Sequence, residues 1–318
     1  MRNISGMKLL QYPDRIAGDF RPITADVFLT NYCNNHCSWC TYRRWEHDPA
    51  ACYMRFDDFK VYVEKLVSLG VQGVILTGGG EPTINKDFDS ITGYLEDRGI
   101  HYGINTNFNE LRFLKPDYIK ISLDGYSEDS YERIRNVRAY EKVLKNIITY
   151  IDWKKRNSPE TNVGIQIVVT NPDDVRKFYD ANAVLDVDYI VFRPVESTGG
   201  SYYSGENTIH VLTIMHEIEK LMQTDKRVML NYKWAHLNTR FEKCSAHWAQ
   251  IALDEKGNVI YCCHKPYEIV GHIMDDDILA KYAAAHTDMN MCDIPCRMTA
   301  PNLVFDGIKM PVSNPQFI

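Results

Sequence analysis

From Ala25 to Arg193, short apolar, β-branched runs alternate with amphipathic stretches, the order produced by repeated βα units around a parallel sheet. Strands are predicted at 26–29, 73–77, 102–105, 118–122, 164–169 and 189–193. Helical periodicity predicts helices at 56–68, 88–97, 140–155 and 173–186. Six such strands suffice for a partial barrel, and 318 residues hold that barrel plus a small appendage. The expected fold class is therefore α/β: a partial (β/α)6 barrel over 1–235, then a small C-terminal domain and tail over 236–318. A polar loop at 196–207, a helix at 211–222 and a strand at 228–232 lead up to that boundary. The tail 301–318 has three prolines and is expected to run extended.

The residues suited to chemistry fall at the carboxyl ends of the predicted strands, the rim where parallel barrels build active sites. Cys33, Cys37 and Cys40, spaced CxxxCxxC, follow the first strand, and Gly78-Gly79-Gly80-Glu81-Pro82 follows the second. Asn105 and Asn107 end the third, Ser122 and Asp124 the fourth, and Arg193 the sixth. Three thiolates hold three corners of a [4Fe-4S] cube and leave one iron open, whereas zinc sites usually pair cysteines as CxxC and close a tetrahedron. Buried or zinc-bound cysteines in a chance spacing are the alternative. Lacking Cβ atoms, Gly79 and Gly80 let backbone approach a ligand, and backbone carbonyls or Glu81 can accept hydrogen bonds from an ammonium group. A plain tight turn is the other reading of that triplet, and core packing the other reading of Trp39.

A net charge of −6 offers no basic footprint for displacing counterions from nucleic acid, so a small molecule or short peptide is the expected substrate. The opening Met1-Arg2-Asn3-Ile4-Ser5-Gly6 carries no apolar signal core, and no apolar run reaches membrane length. A cytoplasmic enzyme with no nucleic-acid or membrane partner is expected, its nine cysteines serving metal or redox chemistry rather than disulfides.

A second group of cysteines lies beyond the barrel. Cys244 is followed by twelve residues, Gly257, four residues and Cys262, and the turn at 254–258 between apolar runs 250–253 and 259–261 marks a hairpin. Cys292-Asp293-Ile294-Pro295-Cys296 follows a helix predicted at 278–286. Cys244, Cys262, Cys292 and Cys296 complete a second cube or, equally, a four-cysteine zinc site. Adjacent strand residues face opposite ways, so if Cys262 ligates, Cys263 is turned toward the barrel. Cys52 stands outside both groups.

CxxxCxxC, the Gly-Gly-Glu segment, Ile121-Ser122-Leu123-Asp124-Gly125 and Asp129-Ser130-Tyr131-Glu132-Arg133-Ile134-Arg135 together resemble the radical S-adenosylmethionine (SAM) superfamily. The pattern from Cys244 through Gly257 to Cys262 resembles the opening of its SPASM and twitch auxiliary domains, and the lack of cysteines after Cys296 suits the shorter twitch type. The resemblance implies a [4Fe-4S] cluster on Cys33, Cys37 and Cys40 whose open iron is chelated by SAM. It also implies SAM contacts from Trp39, Gly79, Gly80, Glu81, Asn105, Asn107, Ser122, Arg135 and Arg193, and an auxiliary [4Fe-4S] cluster on Cys244, Cys262, Cys292 and Cys296.

The implied reaction is reductive cleavage of SAM to a 5′-deoxyadenosyl radical, with a flavodoxin- or ferredoxin-type reductant as partner. Hydrogen abstraction then dehydrogenates or epimerises a small sugar-like or aminocyclitol-like molecule, and in an epimerase Cys263 is the catalytic hydrogen donor. A peptide-modifying maturase is the alternative, disfavoured by the short stretch before Ala25; a non-catalytic iron-sulfur scaffold is another. The related molybdenum-cofactor cyclase is disfavoured because the chain ends Pro315-Gln316-Phe317-Ile318 rather than Gly-Gly.

Overall fold

In the computed structural model, residues 11–16, 21–40, 42, 53–198, 200–203, 208 and 210–309 are described; Cys52 and the chain end from 310 lie outside them. A single helical turn, α1 (Pro13–Ile16), precedes the repeats. They run β1 (Thr24–Phe28), α2 (Phe56–Ser68), β2 (Gly73–Thr77), α3 (Phe88–Asp97), β3 (His101–Thr106), β4 (Tyr118–Ser122), α4 (Glu128–Arg135), α5 (Tyr140–Asn157), β5 (Asn162–Val168), α6 (Pro172–Asn182) and β6 (Tyr189–Arg193). Every neighbouring pair from β1 to β6 is parallel, with Asn105 opposite Lys120 and Ser122 opposite Gln166.

The helices form because their apolar residues recur on one face. α2 buries Phe59, Val63 and Leu66, a stripe at four- and three-residue spacing that packs with Val27 and Leu76. On β4, Ile119 and Ile121 are buried with Val143 and Ile147 of α5, while Tyr118, Lys120 and Ser122 point the other way and keep partial exposure. β2 and β6 repeat this alternation. A parallel sheet is normally covered on both faces; here the helices cover one face, and Tyr118, Lys120 and Ser122 of β4 point to the other, the inner face of the sheet.

The remaining elements are β7 (Ser197–Thr198), α7 (Val211–Thr224), β8 (Val228–Leu230), β9 (Gln250–Leu253), β10 (Asn258–Ile260), β11 (Ile269–His272), α8 (Ile278–Ala284), β12 (Asp293–Ile294) and α9 (Thr299–Lys309). The strand order is β11-β10-β9-β1-β2-β3-β4-β5-β6-β8. β9 pairs parallel with β1, so the hairpin of the second cysteine group lengthens the barrel sheet at its β1 edge. β12 pairs antiparallel with β7, tying the segment of Cys292 and Cys296 to the loop after β6.

The α/β class read from the sequence is the class observed. Two local expectations are corrected. The tail is not extended from residue 301: Pro301 lies in the first turn of α9, where its missing N–H leaves no helical hydrogen bond unmade. α6 ends at Asn182 rather than 186, because the chain must turn there to bury Leu185 and Val187 ahead of β6. Among the described residues, no helix is long and apolar enough to cross a membrane.

Candidate functional site

The loop after β1 carries Cys33, Cys37 and Cys40, all half-buried, and is clamped from two sides. On one side Gly80 donates its N–H to the Thr30 carbonyl and Glu81 donates to the Tyr32 carbonyl, both at 2.9 Å. The approach is so close that a Cβ on Gly80 would lie 1.8 Å from the Tyr32 carbonyl oxygen, which is why only glycine fits. On the other side, His36 N–H donates to the Arg135 carbonyl at 3.0 Å and Ser38 N–H to the Ile134 carbonyl at 2.8 Å, at the end of α4. Asn136 ends that helix in the left-handed region, φ 55°, and its side-chain amide donates to the His36 carbonyl at 2.6 Å.

Glu81 is the anchor beneath the loop. One carboxylate oxygen accepts from Thr83 Oγ1 and Thr106 Oγ1, both 2.6 Å away, and the other from Asn107 N–H at 2.7 Å. Burial pushes the carboxyl up despite these donors. Protein donors thus occupy both of its carboxylate oxygens.

Around this frame the remaining candidates are placed as follows. Asn107 donates to Asn34 Oδ1 at 2.6 Å and lies 3.9 Å from Cys33 Sγ. Arg135 pairs with Asp124 inside the protein, donates to the Ser122 carbonyl at 2.8 Å, and approaches Cys37 Sγ at 3.2 Å. Burial works to lower the Arg135 guanidinium, but Asp124 and the neighbouring Cys37 raise it above its ordinary value. Ser122 Oγ accepts from Gln166 at 3.0 Å; Asn105 donates to Thr77 Oγ1 at 3.3 Å. Trp39 is 40% exposed and meets Tyr202 edge-on at 5.2 Å, so it is not a core tryptophan.

Arg193 is drawn into a network that sequence reading missed. Glu196 accepts from Arg193 at 2.6 Å and from Lys233, and His264 Nδ1 stands 3.6 Å from both Glu196 and Asp293. Burial works to raise Glu196, but Lys233, Arg193 and His264 hold it well below the usual carboxylate range. Tyr42 was also missed: its hydroxyl donates to the Cys263 carbonyl at 2.5 Å, joining the first cysteine loop to the second group. Neither Glu196 nor Tyr42 sits in a spaced motif; the available signal was that Tyr42 lies two residues after Cys40 and Glu196 three after Arg193.

The donor set of the first loop fits a [4Fe-4S] cluster. Burial, then Glu81 and the two sister thiols, push the Cys33 thiol up to about 12, so the thiolate form needs a cationic centre beside it. The second group converges as well: Cys244, Cys262, Cys292 and Cys296 line one cavity. Asn302 donates to Cys244 Sγ at 3.4 Å and Met298 N–H to Cys296 Sγ at 3.3 Å, the kind of bond that steadies cluster sulfurs. Burial raises Cys244, but His247 and Asn302 carry it below the usual thiol value. Cys263 does not line the cavity; it is buried with Phe28, Ala252, Ile260 and Tyr42. Among the described residues, no three His, Cys, Asp or Glu side chains close on a single metal ion.

The radical SAM superfamily matches residues 27–181. The chain is 31% identical over 148 residues to a probable GTP 3′,8-cyclase of Thermococcus kodakarensis, covering 43% of this chain and 48% of that protein. It thus spans about half the length of the curated relatives it matches. Streptococcus suis SuiB bound to S-adenosylmethionine superposes with a TM-score of 0.60 at 15% identity, over 86% of this chain and 70% of that one. The anSMEcpe structure with bound AdoMet does so with 0.60 at 16% identity, over 82% of each chain. At such identities these two likenesses concern the fold. A [4Fe-4S] cluster and SAM are what the family implies for the loop of Cys33, Cys37 and Cys40. Sequence, parallel sheet and clamped three-cysteine loop coincide in residues 27–181, the stretch that is similar to the radical SAM superfamily.

Proposed function

We propose that this chain is a radical SAM enzyme that abstracts hydrogen from a small polar substrate held in the barrel lumen, with a second cluster on Cys244, Cys262, Cys292 and Cys296 accepting an electron from the substrate. The observation that carries the reading is the tie between the two cysteine groups: Tyr42, two residues after Cys40, bonds the carbonyl of Cys263, beside Cys262. When bound, the [4Fe-4S] cluster and SAM supply an electron and a carbon-centred radical able to break a C–H bond. The protein's part is to hold and exclude. Cys33, Cys37 and Cys40 hold three irons, the backbone of Gly78 to Gly80 receives the amino group, and Arg135 keeps the loop in place through Asp124. Asn105, Ser122 and Gln166 line the lumen with polar groups.

Dehydrogenation suits two adjacent cysteine groups, because the electron that a substrate radical would give up to the second cluster replaces the one spent on cleaving SAM. Epimerisation is the second reading, favoured by Cys263, which lies outside the second cavity, buried against Phe28 of β1. Anaerobically reconstituted protein is expected to bind about eight iron atoms per chain. The Cys244→Ser/Cys296→Ser variant is expected to keep about four and still cleave SAM. Zinc in place of the second set of iron atoms would overturn the electron-acceptor role. Turnover in deuterated water separates the two outcomes: solvent deuterium at the reacting carbon, lost in Cys263→Ala, belongs to epimerisation alone.

A further inference from the structure

We propose that Lys120, halfway along the lumen face of β4, receives an oxyanion of the substrate, a phosphate or a carboxylate; this deepens the reading above, in which the lumen is the substrate chamber. The register decides where the amine points. Ile119 and Ile121 enter the helix-covered core, so Lys120 projects to the other, inner face of the sheet. It is enclosed by the protein yet keeps accessible surface, the condition of a side chain facing an internal space.

Among the described residues Lys120 donates no hydrogen bond and joins no ion pair. Glu196, the carboxylate that acts on it, is engaged by Arg193 and Lys233, and Asp26 is engaged by Arg297. Beside it in register, Asn105 has a buried Oδ1 with no hydrogen-bond partner. On the other side stands Gly164, where the ring of Tyr189 lies so close that a Cβ would meet it at 2.0 Å. Burial, reinforced by Arg193, Arg297 and Lys233 and opposed by Glu196, pulls Lys120 down to about 7. An incoming oxyanion reverses that: it takes a charge-assisted hydrogen bond, raises the amine again, and draws in a proton on binding.

Pyridoxal 5′-phosphate, an anionic aldehyde, is the probe for the reconstituted chain. A lysine amine adds to it with loss of water, and borohydride then fixes the imine as a secondary amine. Near about pH 7.5 an amine of lowered pKa has roughly a thousandfold larger free-base fraction than a surface lysine. Peptide mapping is therefore expected to find the label first at Lys120. Inorganic pyrophosphate or glutarate is expected to slow that labelling about tenfold. Protection by pyrophosphate alone assigns a phosphate, and protection by glutarate alone a carboxylate. Labelling spread over surface lysines with Lys120 untouched, or a Lys120 label that neither anion slows, overturns the proposal. Formation of 5′-deoxyadenosine from SAM, assayed without the probe, reports on the radical SAM reading separately: cleavage with an unprotected Lys120 removes the oxyanion site alone.

Discussion

Gly80→Ala is expected to empty the first cysteine loop of iron and to lower stability by about 3 kcal/mol, read as the denaturant midpoint and as iron per chain. The added methyl would stand 1.8 Å from the Tyr32 carbonyl oxygen, with the Tyr32 backbone nitrogen at 2.7 Å. No side chain can yield there, because every close atom is backbone. Relief requires the loop to move off the Gly-Gly-Glu segment, breaking the bonds from Gly80 to Thr30 and from Glu81 to Tyr32. Cys33 is the next residue along, so the displacement reaches the ligands directly. Gly93→Ala, in α3 with open space around its Cβ, is the control. It is expected to stabilise by up to about 1 kcal/mol through helix propensity and to load iron normally. Equal iron loading in the two variants would show that the close packing is not needed to hold the loop.

Arg135→Met is expected to cost about 3–5 kcal/mol, because it leaves Asp124 as an uncompensated buried charge. The same change removes the donors to the Ser122 carbonyl and the contact with Cys37 Sγ. Asp124→Asn/Arg135→Met removes both charges, so it is expected to be less destabilised than the sum of the single variants. That non-additivity, measured by denaturant unfolding, distinguishes a buried pair from two independent side chains. Strict additivity would mean Arg135 acts through its bonds to the loop alone. In either variant SAM cleavage is expected to fall with iron content, since α4 and the cysteine loop share their backbone bonds.

The parts of this molecule legible in the sequence are those governed by local periodicity. β2, β4 and β6 run over the predicted residues, because alternating side chains with turns on either side leave little choice. The cysteine spacings were equally readable, since ligand geometry constrains neighbours in the chain. Long-range pairing was not. Nothing in Gln250 to Leu253 distinguishes a strand of an isolated hairpin from one that pairs parallel with β1, more than two hundred residues earlier. Lys120 sits inside Tyr118-Ile119-Lys120-Ile121-Ser122, where a single charged residue reads as a solvated position until the register turns it into the lumen. Glu81 reads as a ligand to an ammonium group, but the hydroxyls that occupy it belong to Thr83 and Thr106, the latter on another strand.

The account depends on Cys33, Cys37 and Cys40 holding a cluster with one iron free for SAM. Electron paramagnetic resonance of the anaerobically reduced protein, before and after adding SAM, tests this most directly. The predicted result is a reduced [4Fe-4S] signal with a component that changes shape when SAM binds; that component is lost in Cys40→Ala, which keeps only the signal of the second cluster. A spectrum wholly indifferent to SAM, or a SAM-sensitive component that survives in Cys40→Ala, would contradict it.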